Sequence, residues 1–142
     1  MFAKSYEERL QSWSEFRASL EESDDPFRAV VDFYRAAPSV SIHTDPFHKE
    51  AWPDPWELLF ENRYCDFTRV LAYGYSLQLT DRFKGSSFEI HISTDNVLGY
   101  MYLLFVDDFV LGYDEQGAVN AKDLPEDLRS QHVFSLSSTN KY

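Results

Sequence analysis

A thiol, an imidazole and a carboxylate follow one another along this chain as Cys65, His91 and Asp107 or Asp108. In that order they could form a nucleophilic triad, with imidazole deprotonating the sulfur and a carboxylate orienting the imidazole. A helix starting within 62–65 would place its positive end at the sulfur and favour the thiolate. Against this, Asp66 adjoins the thiol, and no glycine-rich or alanine-rich turn surrounds Arg63-Tyr64-Cys65-Asp66. The competing reading makes Cys65 a small buried hydrophobe in a helix.

Three further clusters bear on chemistry or binding. His43, Asp45, His48 and Glu50 gather nitrogen and oxygen donors in one stretch, but Pro46 interrupts it and the spacing fits no helix face. The glycines are scattered singly and form no phosphate-cradling loop. No metal and no cofactor is expected. Trp52-Pro53-Asp54-Pro55-Trp56 sets two indoles in a proline-stiffened segment. Proline reduces the entropy lost on ordering, and tryptophan is enriched among binding hot spots, so Trp52 and Trp56 are candidate partner-binding residues. The alternative is that the indoles fold back and seal the core. Asp107, Asp108, Asp114 and Glu115 add a group of carboxylates at predicted turns, read as one end of a sheet that meets a basic partner surface.

The elements that must carry these residues follow from spacing. Tyr6, Leu10, Trp13, Phe16 and Leu20 form one helical stripe, with Ser5 and Glu8 as a capping box. Asp25 and Pro26 open a second helix running to about Ala37. Asp54-Pro55 repeats that start, and a further helical run is expected from about Arg63 to Tyr73, closed by Gly74. Beyond it the period becomes two, predicting strands at 75–80 and 88–93. Tyr100 to Val106 is apolar on both faces and predicts a central strand; Phe109 to Tyr113 returns as a hairpin, a short helical turn begins at Leu124-Pro125, and His132 to Leu136 is a last strand. The expected architecture is a single α+β domain: a helical hairpin over 1–37, a proline-rich loop over 38–54, helices over 55–74, an antiparallel β-meander over 75–136 and a polar tail over 137–142.

The chain has 142 residues, 44% of them apolar, and is long enough to bury roughly two thirds of its unfolded surface. A net charge of −11 leaves no cationic excess for a phosphate backbone, so direct nucleic-acid binding is not expected. Cys65 is the single cysteine and permits no internal disulfide, which suits a reducing cytoplasm. The apolar run 97–106 is too short to span a bilayer, and the charged first nine residues hold no signal-peptide core. Neither a membrane nor a secretory address is expected.

The segment Ala51-Trp52-Pro53-Asp54-Pro55-Trp56-Glu57-Leu58-Leu59, with the helix through Cys65 and Ala72 and the run Tyr75 to Thr80, resembles a group of small tailed-bacteriophage proteins sharing a Trp-Pro-x-Pro-Trp-Glu-Leu motif. The resemblance implies a phage setting, free in the host cytoplasm or incorporated in the virion. The expected function is non-enzymatic protein–protein binding as a virion or assembly component, with a phage structural or host protein as partner, in a homo-oligomer or ring. Two alternatives stand beside it: a transglutaminase-like or papain-like cysteine enzyme using Cys65 and His91, and an acidic nucleic-acid mimic that inhibits a host protein.

Overall fold

The computed structural model describes residues 1–41, 44–95 and 99–136. His43, Asn96 and the polar tail 137–142 lie outside the described residues. Ser5 caps helix α1 (Tyr6–Leu20) by accepting the Glu8 N–H, and Asp25 caps α2 (Pro26–Tyr34) by accepting that of Arg28. Asp54 and Glu57 form a reciprocal capping box at α3 (Pro55–Glu61), which ends on Asn62 in the left-handed conformation at φ 55°. Arg9, from α1, donates Nε to the Leu59 carbonyl at 2.9 Å and Nη2 to that of Phe60 at 3.0 Å, satisfying orphan acceptors at the end of α3.

Helix α4 (Asp66–Gln78) departs from expectation. The strand expected over 75–80 is instead the last turns of this helix, and Gly74 lies inside it. Residues 70–78 are buried on every side, so the stretch shows no wet face to reveal its period. Gly74 is demanded by packing: a Cβ there would sit 2.7 Å from Leu136 Cδ2 and 3.3 Å from Leu104 Cδ1.

An antiparallel sheet follows, made of β1 (Phe88–Asp95), β2 (Gly99–Val106), β3 (Phe109–Asp114), β4 (Gly117–Asn120) and β5 (Arg129–Ser135), in the order β4-β3-β2-β1-β5. The protein is therefore an α+β fold with β2 at the centre. It is not a plain meander: β5 crosses back to pair with β1, and β4 is a strand to which the sequence reading assigned no element. The short helical turn falls at 121–123, ahead of Leu124.

Phe88, Ile90, Leu104, Val106 and Leu111 face the helices and join Trp13, Phe67, Leu71 and Leu77 in the main core. The opposite face carries Glu89, His91 and Ser93, with Leu103 at 1% and Val110 at 0% exposure. Residues 121–128 lead from the β4 edge of the sheet to the start of β5 at the other edge.

Trp13 Nε1 donates to Ser76 Oγ at 2.9 Å, and the Tyr34 hydroxyl lies 3.0 Å from the same oxygen. Burial pushes the Tyr34 and Tyr64 phenols far above their ordinary range, so both stay protonated while the chain is folded. Unfolding frees them to ionise above about pH 10, so the unfolded state then binds fewer protons and stability falls as pH rises. The expected loss is up to about 1.4 kcal/mol per pH unit for each phenol. Urea midpoints measured from pH 8 to 11.5 should drop steeply above pH 10; a flat profile would contradict the burial of these rings.

Candidate functional site

The β2–β3 ladder has only three rungs, Val106–Phe109, Phe105–Val110 and Leu104–Leu111. Gly112 then takes φ 99°, and β3 turns away to pair with β4, leaving residues 99–103 of β2 paired with β1 alone. A Cβ at Gly112 would lie 2.6 Å from the Tyr102 carbonyl oxygen, so the close approach at this fork requires glycine. The fork opens into a cleft of two lobes that share Arg69, Tyr73 and Gly112. One lobe, about 220 Å³, is closed by Val31, Arg35, Asp114 and Glu115. The other, about 280 Å³, is bounded by Asp66, Val70, Tyr100, Met101 and Tyr102.

Helices α2 and α4 set the charges. Arg69 donates Nη1 to the Tyr34 carbonyl and Nη2 to Ser39 Oγ, both at 2.7 Å and both to uncharged partners. Arg35 is shared between Asp32 Oδ1 and the Glu115 carbonyl, each at 3.0 Å. Burial raises the pKa of Tyr73 while Arg69 and Arg35 pull it back, and burial likewise raises Tyr102, assisted by Cys65, Asp66 and Tyr100. Both phenols therefore remain neutral hydrogen-bonding groups. Asp66, Asp114 and Glu115 supply negative charge around them.

Aromatic rings continue the cleft outward. Phe67 meets Tyr102 edge-on at 5.4 Å, Trp52 leans on Phe67 and Phe134 at 5.1 Å each, and Phe47 touches His132 at 5.1 Å and Tyr100 at 5.8 Å. Phe47 and Tyr100 are 42% and 60% exposed and form the rim.

The two indoles expected to grip a partner turn inward. Trp52 is half-buried, donates Nε1 to the Pro46 carbonyl at 3.2 Å and braces Phe67. Trp56 packs edge-on against Trp13 at 5.2 Å. The prolines thus seat both rings on the core, and the exposed aromatic of that loop is Phe47. Trp52 braces Phe67 behind the cleft, Trp56 packs on Trp13 away from it, and both rings stay partly exposed.

The triad residues are not brought together. Cys65 is 3% exposed at the start of α4, where its Sγ lies 3.4 Å from Thr68 Oγ1, on the helical side of the sheet. His91 points from the opposite face, because alternate residues of β1 face opposite ways. Asp107, at φ 52° in the β2–β3 turn, accepts the Ser87 N–H at 2.9 Å. The carboxylates also divide: Asp107 and Asp108 lie at one end of β3 and Asp114 and Glu115 at the other, since consecutive hairpin turns alternate ends. Only Asp114 and Glu115 reach the cleft. In the proline-rich loop His48 Nε2 lies 3.4 Å from Glu50 Oε2, and among the described residues no group of three potential ligands assembles for a metal.

Sequence reasoning passed over Arg69, Tyr73, Tyr100, Tyr102 and Gly112. The available signal was a lone glycine inside a strand pattern, which often marks a bulge or a close backbone approach. Compared with known proteins, the chain matches no protein-family model, no curated protein and no solved structure.

Proposed function

We propose that the protein works by binding another protein, taking an extended, net-basic segment of it into the tyrosine-lined cleft. The observation that carries this reading is the forked ladder. Val106 and Phe109 flank a two-residue turn and close the hairpin, so the hydrogen-bonded pairs recur at every second residue. By that parity Tyr102 and Tyr100 turn their backbone groups toward the cleft; Gly112 still closes on the Tyr102 carbonyl, and Tyr100 lies beyond it, where β3 has left. An incoming strand can pair there while its side chains enter the two lobes. Tyrosine, methionine and arginine line the cleft, the residue types enriched in the centres of protein interfaces. The net charge of −11 favours a basic partner and steers its approach. The Trp-Pro-x-Pro-Trp-Glu-Leu resemblance supports a partner that is a structural or assembly protein of a tailed phage.

Peptides selected from a displayed library on the immobilised protein test the proposal. They should carry net positive charge, shift the amide resonances of residues 99–103, and bind Tyr100→Ala at least about 30-fold more weakly, the loss typical of a hot-spot residue. Raising salt should slow association more than it speeds dissociation. Phe60→Ala, which alters a 65% exposed ring on α3, should bind normally. Selected peptides that bind Tyr100→Ala as tightly as the parent protein would remove the cleft from consideration.

A further inference from the structure

On the sheet face turned away from the helices, β1 presents Glu89, His91 and Ser93 in alternation, and β5 sets Ser130 beside them. His91 Nε2 lies 3.1 Å from Glu89 Oε1, and His91 Nδ1 lies 2.7 Å from Ser130 Oγ. An ionised carboxylate only accepts, so Nε2 carries the proton and Nδ1 offers its lone pair to the Ser130 hydroxyl. Ser93 Oγ is 3.4 Å from Ser130 Oγ and, with Ser130 donating to the ring, acts as donor to it. The chain of hydrogen bonds therefore has one direction, from Ser93 through Ser130 and His91 to Glu89.

The strand pairing shows what places Ser130 there. Ile92 pairs with His132, but Ser93 pairs with Ser130, so Gln131 is an extra residue in β5. Without that bulge Ser93 would face Gln131, and Ser130 would fall opposite Thr94 on the helical face. One inserted residue moves this hydroxyl onto the imidazole. The ring itself is fixed, stacked on Phe105 at 3.7 Å and 18° and left 11% exposed, while Ser130 is open to solvent.

We infer that Ser130 is an activated nucleophile, with His91 as its base and Glu89 orienting the base, reactive toward acyl esters. Ser130 Oγ bonds to the acyl carbon as its proton passes to His91 Nδ1; the ester C–O bond breaks and the departing alkoxide takes that proton. Water, deprotonated by the same nitrogen, then releases the acid and restores the serine. The site lies on the opposite face of the sheet from the tyrosine-lined cleft and does not depend on it.

Treatment with an alkyl fluorophosphonate tests this: Ser130 Oγ–P forms, P–F breaks, and fluoride leaves as the proton moves to His91. Intact mass should show one adduct, mapped to Ser130 and absent in Ser130→Ala. His91→Gln should slow labelling about 100-fold with circular dichroism unchanged. Glu89→Gln should slow it less, and p-nitrophenyl acetate should be hydrolysed in proportion to labelling. No adduct on Ser130, or labelling as fast in His91→Gln as in the parent protein, would each overturn the assignment.

Discussion

Replacing Trp13 with alanine is expected to lower the unfolding free energy by about 3–5 kcal/mol, the range for emptying a tryptophan site in a packed core. The side chain is 1% exposed and has several functions at once. Its indole N–H bonds Ser76, its ring edge meets Trp56, and its face supports the Arg17 guanidinium at 4.3 Å. Arg17 has its pKa lowered by burial, so removing the ring that faces it exposes a costly charge to an unfilled hollow. Domains of this size are stable by only about 5–15 kcal/mol, and the variant should be largely unfolded at modest urea concentrations. Trp13→Phe retains most of the volume and isolates the loss of the hydrogen bond, which should cost about 1–3 kcal/mol. Urea titration followed by circular dichroism measures both; a loss below about 1 kcal/mol for Trp13→Ala would mean that the site collapses without penalty.

Gly112→Ala should affect fold and binding together. The added methyl meets the Tyr102 carbonyl oxygen at 2.6 Å, and φ 99° is hostile to any side chain. Strain of this kind costs on the order of 1–3 kcal/mol. Relief requires β3 to move away from β2 or Tyr102 to rotate, and either motion reshapes both lobes of the cleft. Peptide affinity should therefore fall by more than the stability loss explains, while Gly85→Ala, whose Cβ would meet nothing within 4 Å, should leave both unchanged. Retained affinity in a folded Gly112→Ala protein would place the binding surface elsewhere.

The helix starts were legible because their signals are local. Ser5 with Glu8, Asp25 with Pro26 and Asp54 with Pro55 each satisfy backbone donors within one turn, and each appears where it was expected. The central strand was legible from its two apolar faces. The end of α4 was not: Tyr75, Leu77 and Leu79 alternate with polar residues that are themselves enclosed, Ser76 by Trp13 and Tyr34, and Gln78 by the Leu136 carbonyl at 2.5 Å. A buried polar residue with a distant partner looks like a wet face when read along the chain. The same holds for His91. It was marked as a base, but its partner hydroxyl lies 39 residues away on a strand that crosses the sheet, at a position set by a bulge that leaves no local trace. The cleft was hidden because it arises where a ladder stops.

Because β5 adds to β1 and not to its chain neighbour β4, the sheet waits on the last described strand. During translation α1 to α4 and the β1–β4 hairpins leave the ribosome first, yet the hollow over Gly74 stays empty until Leu136 emerges to fill it. Until then β1 has an open flank, and Glu89 and His91 have no serine beside them. Nascent chains arrested before residue 136 has cleared the exit tunnel should thus be readily digested by protease, and release should convert them in one step to the resistant form.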